Sequence, residues 1–339
     1  MDNPDRILII RPSALGDVCR TVPVLVSLRR AYPSATIDWL VQDSFMDAVR
    51  GHPDLTEAVV FPRRALARSA GRGLLLPSLR WLGELKRRRY DLVIDCQGLA
   101  RSGVFAWATR APSRVGYSDA RELGWLGVNK RHRVDGARHA VDRMLSLVES
   151  IGVEPVVDLR LHPPPEDRER VAADRELAGA GYAVIAPTSR WPAKRWPIDR
   201  FIEIAGALSA RGLGVAVVGS SGEREQCRAL LNAAKTNDAI IDRVGRTSVG
   251  TLMAIIDGAR LVIANDSAAL HMAVGFDRPL VALYGPTRIE CVGPYGRQAD
   301  VIQHVSHDDR INHKIAANVA LMERITTSEV IERIDERLG

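Results

Sequence analysis

The sequence predicts an α/β protein made of two doubly wound, Rossmann-like domains that face a central cleft. Three observations lead there. Short apolar runs alternate with amphipathic helical stretches along most of the chain, the pattern of βαβ units and parallel sheets. The alternation stops at the proline-bearing stretch 152–167 and then starts again. At 339 residues the chain exceeds the usual size of one hydrophobic core, so two cores are expected.

In the first half the apolar run 7–10 leads into a helical pattern over 18–31. Pro23 lies inside that pattern and lacks an N–H, so a bend without a break is expected there. Strand 36–41 and a helical turn over 44–49 follow, then strand 58–61, helix 75–88, strand 91–96 and helix 100–108. An amphipathic stretch over 139–151 closes the half. Pro155, Pro163, Pro164 and Pro165 then crowd a polar segment, which reads as a linker. The second half repeats the pattern with strands 182–186, 215–218, 240–244, 261–264 and 280–284. Between them lie helices over 198–211, 223–234, 249–257 and 268–274. Thr327 or Ser328 is placed to cap a closing helix over 328–338. The predicted boundaries are an N-terminal domain 1–155, a linker 156–167, a C-terminal domain 168–325 and a final helix segment 326–339.

Composition narrows the function. Hydrophobic residues make up 46% and mean hydropathy is −0.07, as in soluble globular chains. No apolar run approaches the ~20 residues that span a bilayer, and the N-terminus lacks a signal-peptide pattern, so a cytoplasmic enzyme is expected. Cys19, Cys96, Cys227 and Cys291 are scattered without a C-x-x-C pair, which argues against a disulfide framework and a zinc site. Net charge is +6, and nine basic residues stand against Glu84 alone between Arg63 and Arg89. That field suits a phosphorylated sugar or an anionic membrane surface. Nucleic acid is the weakest choice, since no helix-turn-helix, RNA-recognition or zinc-finger signature accompanies it. Lys86 to Arg89 equally suit a solvated helix face.

The chemistry-bearing residues sit where strands end. Arg11-Pro12-Ser13-Ala14-Leu15-Gly16-Asp17 follows the first apolar run, and open α/β sheets bind ligands at strand carboxyl ends. Asp17 is therefore aimed at the cleft, although an aspartate there is also placed to cap the first helix. Thr188 and Ser189 follow the strand 182–186, with Lys194 close behind, and make an anion-binding corner. The glycine-bearing turn 219–222 leads to Glu223, placed to accept from ribose hydroxyls. Asp266, Ser267 and Ala268 open a helix whose free N–H groups favour a diphosphate, and His271 follows on that helix. Displacing a diphosphate with a sugar hydroxyl needs a base at the hydroxyl and positive charge at the leaving phosphate. The first half offers the base and the second the charge.

In order, the 11–17 loop, the segment 90–99, the 265–271 run and Tyr284-Gly285-Pro286-Thr287 resemble glycosyltransferase family 9, the ADP-heptose:lipopolysaccharide heptosyltransferases. The stretches Arg114-Val115-Gly116-Tyr117, Ala120-Arg121-Glu122 and 139–143 resemble the heptosyltransferase I branch. The resemblance implies the GT-B architecture, with an N-terminal acceptor domain, a C-terminal nucleotide-sugar domain and a final helix packing back on the first domain. It implies inverting, metal-independent transfer of a heptose or related sugar from an ADP-sugar to a phosphorylated, Kdo-bearing lipid acceptor, without a cofactor. Asp17 then matches the general base and Lys194 the diphosphate anchor. Thr188, Ser189, Glu223, Thr247, Asp266, Ser267, Ala268 and His271 match the donor site. Ser13, Gly16, Arg63, Arg64, Arg101 and Arg121 fall to the acceptor. A monomer, cytoplasmic or peripheral on the inner membrane, fits that role.

Two departures stand out. Ala268 occupies a position where the family most often has glycine, so its methyl group either crowds the diphosphate or tightens the loop. The polar region with His304, His307, Asp308, Asp309 and His313 lacks metal-ligand spacing and reads as a loop. A Rossmann oxidoreductase is disfavoured because the loop after residue 10 carries Gly16 alone instead of G-x-G-x-x-G. A non-catalytic sugar-binding protein is disfavoured by the presence of both Asp17 and Lys194.

Overall fold

The computed structural model describes residues 3–71, 74–134, 138–178, 181–309 and 311–339. It divides into two compact units, Met1–His162 and Pro163–Gly339. The first holds β1 (Arg6–Ile10), β2 (Thr36–Gln42), β3 (Glu57–Phe61), β4 (Leu92–Asp95), β5 (Ser113–Tyr117) and β6 (Lys130–His132). All pair in parallel, in the order β3-β2-β1-β4-β5-β6. Central β1 is covered on both faces, which is why Ile7 to Ile10 form one uninterrupted apolar run and are all fully buried. Burying each such side chain contributes roughly 1.5–3 kcal/mol.

The helices of this unit are α1 (Leu15–Arg20), α2 (Val22–Ala31), α3 (Arg63–Gly71), α4 (Leu76–Arg87), α5 (Ala100–Thr109) and α6 (Ala140–Glu149). The single bent helix expected over 18–31 is two helices meeting at Thr21. Pro23 cannot donate to the preceding turn, so the ladder is interrupted and the proline occupies the first turn of α2, where no donor is needed. Strands β5 and β6 and helix α3 were not expected from the sequence.

The second unit holds β7 (Tyr182–Ala186), β8 (Gly214–Val217), β9 (Ile240–Asp242), β10 (Leu261–Asn265), β11 (Leu280–Tyr284) and β12 (Val301–Gln303), parallel and ordered β12-β11-β10-β7-β8-β9. Its helices are α7 (Pro165–Ala172), α8 (Ile198–Ala210), α9 (Arg228–Ala233), α10 (Val249–Asp257), α11 (Ala268–Gly275), α12 (Ile289–Val292), α13 (Ala320–Glu323) and α14 (Thr327–Leu338).

The division between the two units, at residue 162, falls inside the linker expected over 156–167. Before that point the Val156 N–H donates to Ser27 Oγ at 2.9 Å and Leu161 is buried. After it, Pro165 starts α7, whose buried Asp167 accepts from Thr251 Oγ1 of α10 at 2.6 Å. The closing helix α14 lays its apolar face, Val330 and Ile334, in the core of its own unit with Phe201 and Leu208 of α8. Its cap is Thr326, one residue earlier than expected. Thr326 and Glu329 bond each other reciprocally, with Thr326 Oγ1 donating to the carboxylate at 2.7 Å.

Candidate functional site

Each sheet has one point where the strand order reverses, and ligands of doubly wound sheets bind in the crevice at such a point. In the first sheet it lies between β1 and β4, in the second between β10 and β7. The loops after β1, β7 and β10 emerge at these two places, and the turn 219–222 follows the neighbouring β8.

After β1, residues 11–14 lead into α1, and Asp17 is its third residue, accepting from the Ala14 N–H at 3.4 Å. Ala14, not Asp17, occupies the cap position, while Asp17 at the third helical position caps in the reciprocal sense by accepting from the Ala14 N–H. The Asp17 carboxylate pairs with Arg11 at 2.6 Å and also with Arg20, one turn along α1. Burial alone would raise the Asp17 pKa, but the two guanidiniums outweigh it and hold the carboxyl well below the usual carboxylate range. Arg11 also donates to the Cys96 carbonyl after β4, and the Ser13 N–H donates to Gln97 Oε1 at 3.3 Å. Gly16 is half-buried beside them. Asp95, at the end of β4, is fully occupied by the following turn: it accepts from the Gln97 and Gly98 N–H groups and from the Ser102 hydroxyl. Burial still pushes its carboxyl up to about 6.

Arg63 and Arg64 open α3 and are exposed, Arg63 donating to Gln42 Oε1 at 3.3 Å. Arg101 lies over the Phe61 ring, 5.4 Å from its centroid. Burial, and then the nearby Arg63 charge, lower the Arg101 pKa, so these two arginines repel one another. The Arg121 N–H donates to the Gly98 carbonyl, which sets Arg121 beside the β4–α5 turn. The structure thus brings Ser13 and Arg121 on loops, and Gly16 and Asp17 in the first turn of α1, to one sheet edge, with Arg63, Arg64 and Arg101 on helices that follow β3 and β4.

In the second unit, Thr188 and Ser189 follow β7 and are buried. Lys194 stands at the end of a short helical turn, Pro192–Lys194, and its Nζ lies 2.5 Å from Asp266 Oδ2. The same oxygen accepts from Thr287 Oγ1 at 3.0 Å. Asn265, ending β10, donates to the Pro187 carbonyl at 2.6 Å and accepts from the Trp196 N–H, which ties the β7 and β10 loops together. Ser267, and not Asp266, takes the cap position of α11. Its Oγ is buried and, among the described residues, has no hydrogen-bond partner. Ala268 is the first residue of α11, and His271 is buried one turn in. A lysine, a helix N-terminus and a buried unsatisfied hydroxyl together suit an oxyanion ligand.

Glu223 accepts from the Ser220 N–H and hydroxyl at 2.8 and 2.7 Å, a local cap at the turn after β8. Thr247 is half-buried after β9, whose loop is tied to the β8 loop by the Gly245 N–H bonding the Gly219 carbonyl. One residue near Lys194 was missed in the sequence. The ring of His313 lies 5.1 Å from that of Trp191, and burial, then the Lys194 charge, lower its pKa from the ordinary histidine value. Its neighbours in the polar loop do other things: His304 bonds Glu329 at 2.7 Å and Asp309 pairs with Arg324. Among the described residues no group of His, Cys, Asp and Glu is arranged to hold a metal ion. A cavity of about 680 Å³ opens at the opposite, amino-terminal edge of the first sheet, lined by residues including Asp5, Asp91 and Ser113. None of the site residues above lines it, and parallel sheets bind ligands at the other edge.

The model of glycosyltransferase family 9 (heptosyltransferase) matches residues 79–317. Lipopolysaccharide heptosyltransferase 1 of Pseudomonas aeruginosa is 32% identical over 305 residues, 86% of this chain and 82% of that protein. Among solved structures, the E. coli ADP-heptose lps heptosyltransferase II is similar with a TM-score of 0.81 at 22% identity, covering 98% of each chain. The E. coli heptosyltransferase WaaC with ADP-2-deoxy-2-fluoro heptose is similar with a TM-score of 0.75 at 25% identity, covering 98% of this chain and 99% of that one. The two parallel six-stranded sheets are thus of the GT-B type. The chain belongs to glycosyltransferase family 9 (heptosyltransferase) and is a glycosyltransferase.

Proposed function

We propose that this glycosyltransferase moves a heptose from an ADP-sugar to a Kdo-containing lipopolysaccharide inner-core acceptor, with inversion and without a metal ion. The observation that carries the donor half is the Lys194–Asp266 pair beside the buried, unpartnered Ser267 hydroxyl at the start of α11. The relative solved with ADP-2-deoxy-2-fluoro heptose supports an ADP-sugar as the donor. In this reading the acceptor hydroxyl oxygen attacks the anomeric carbon, and the bond from that carbon to the diphosphate oxygen breaks. The electron pair leaves with ADP, whose new charge is stabilised by Lys194 and the N–H groups of α11. Asp17 takes the hydroxyl proton. A carboxylate held this low is a weak base in the resting protein, so proton transfer comes late, as bond formation makes the hydroxyl acidic.

Thr188, Ser189, Glu223, Thr247, Ala268 and His271 complete the donor site in this proposal, and Ser13, Gly16, Arg63, Arg64, Arg101 and Arg121 face the acceptor. Among the described residues no helix is long and apolar enough to cross a membrane. The proposal places the enzyme as a monomer, peripheral on the cytoplasmic face of the inner membrane, where a lipid acceptor is presented. The test is a nucleotide-sugar screen by thermal shift with EDTA present, followed by ADP release with a Kdo-bearing acceptor. ADP-heptose is expected to stabilise the protein more than UDP- or GDP-sugars, and turnover to survive EDTA. Equal stabilisation by UDP-sugars overturns the donor assignment, and a strict need for magnesium or manganese overturns the metal-free mechanism.

A further inference from the structure

Nine large hydrophobic side chains are exposed among the described residues, and eight of them fall within 74–126. Leu74, Leu75, Leu76 and Leu79 mark the start of α4, Val104 and Trp107 the outer side of α5, and Leu123 and Leu126 the turn that follows. These three places are neighbours. Between α3, α4 and α5 lies an apolar groove of about 300 Å³, lined by Leu66 of α3, Trp81 and Leu82 of α4 and Val104 and Phe105 of α5, with Arg63 and Arg101 also on its wall. On its far side α5 meets the turn Gly124–Gly127 backbone to backbone, so closely that a Cβ on Gly127 would stand 1.9 Å from the Gly103 carbonyl oxygen. Trp107 is four residues beyond Gly103, hence on the side of α5 that meets this turn. The leucines, the groove, Val104, Trp107 and Leu126 therefore make one face. Contiguous apolar surface of this kind marks an interaction site.

The charge around it is positive. Arg80, Lys86 and Arg87 of α4 and Arg110 and Arg131 at the other border are exposed, against Glu84, Glu122 and an Asp119 that pairs with Arg143. Two of the cations lie over tryptophan rings, Arg110 over Trp107 at 3.8 Å and Arg131 over Trp125 at 4.4 Å. Tryptophan at the border of apolar side chains and arginine is the composition of surfaces that sit in the headgroup layer of a bilayer.

We propose that this face of the N-terminal unit docks on an anionic lipid surface, with the α4 leucines, Val104 and Trp107 entering the headgroup–acyl boundary and the basic side chains meeting lipid phosphates. This deepens the membrane part of the function proposed above and rests on it only for its purpose. Vesicle binding is read without donor or acceptor, so it fails or succeeds independently of the transferase reading. The full-length protein is tested by sedimentation with vesicles of phosphatidylethanolamine and phosphatidylglycerol, and with phosphatidylcholine vesicles. Binding to the anionic vesicles is expected to be about tenfold tighter or more, and to fall with added salt. Leu76→Ser/Leu79→Ser and, separately, Arg80→Glu/Lys86→Glu should each weaken it about tenfold while turnover of a soluble, deacylated acceptor stays normal. Brominated lipid should quench tryptophan emission in the wild type and less in Trp107→Phe. Wild-type binding equal on both vesicle types, or unchanged in both double variants, overturns the proposal. So does a concentration-dependent dimer in sedimentation velocity that Leu76→Ser/Leu79→Ser abolishes, since the face then serves a second copy of the chain.

Discussion

Asp17 meets its two guanidiniums within the same strand–loop–helix segment, Arg11 just after β1 and Arg20 one turn along α1, so its protonation is settled before any substrate arrives. Because its folded pKa is lowered, its contribution to stability is present above the unfolded value near 3.9 and is lost as pH falls toward the folded value. Replacing Arg20 with Met removes one cation, raises the Asp17 pKa, and should shift the acid limb of kcat/KM to higher pH; an unmoved limb would assign that limb to another group. Asp17→Asn should lower kcat by about 10²- to 10⁴-fold if the base role holds. It should also cost about 1–3 kcal/mol of stability, because Arg11 and Arg20 lose a charged partner, so turnover must be measured well below the melting transition. His313 gives a second residue-level prediction. A bound diphosphate favours its charged form, so proton uptake by His313, displaced below the ordinary histidine value in the free protein, should strengthen ADP binding as pH falls. In His313→Gln that contribution should be lost, leaving the slope that the ADP phosphate's own titration gives; calorimetry at several pH values decides it, and an identical pH slope in the variant removes His313 from the site. Asp17, Lys194 and Asp266 were legible because each follows an apolar run that could only be a buried strand. His313 was not, since it meets Trp191 across a separation of sequence that no local pattern encodes. The cap of α14 slipped by one residue, to Thr326, because hydrogen bonds decide it and propensity does not.

Strands that carry an apolar run were read from the chain, three-residue β9 among them, whereas β5, β6 and β12 were not. β6 and β12 have three residues each and lie at sheet edges, where one side of the strand is unpaired and the apolar pattern thins to Lys130-Arg131-His132 in one case. α3 was hidden behind its arginines, which read as a charge cluster before they read as a helix face. The contact of α5 with the Gly124–Gly127 turn was equally invisible, although its three glycines were in plain view. An added Cβ at Gly103 would meet the Gly124 carbonyl oxygen at 2.3 Å, and one at Gly127 the Gly103 carbonyl at 1.9 Å. Both obstacles are backbone atoms, which cannot rotate away. Gly127→Ala should therefore destabilise the N-terminal unit by about 1–3 kcal/mol, seen as a lower urea midpoint, and weaken vesicle binding by displacing Leu123 and Leu126. A midpoint within error of the wild type would mean that the turn relaxes away from α5 at little cost.

At the scale of the molecule, the chain carries two sheets of the same strand order, with Asp17 at the reversal point of one and Lys194 and Asp266 on loops at the reversal point of the other. The proposed division of labour follows from which residues each unit holds: the base and the acceptor arginines in Met1–His162, the diphosphate anchor in Pro163–Gly339. That division predicts separable kinetics. Lys194→Met removes one charged hydrogen-bond donor from the diphosphate, worth about 1.5–3 kcal/mol, so the donor KM should rise about 10- to 150-fold while the acceptor KM holds. Arg63→Ala/Arg64→Ala should do the reverse, raising the acceptor KM and flattening its salt dependence, because exposed arginines act on an anionic acceptor through a field that salt screens. ADP affinity measured by calorimetry should be untouched in the arginine variant. If each variant moves both constants, the two units do not divide the substrates in this way; if the arginine variant moves neither, Arg63 and Arg64 are a solvated helix face and the acceptor is held elsewhere.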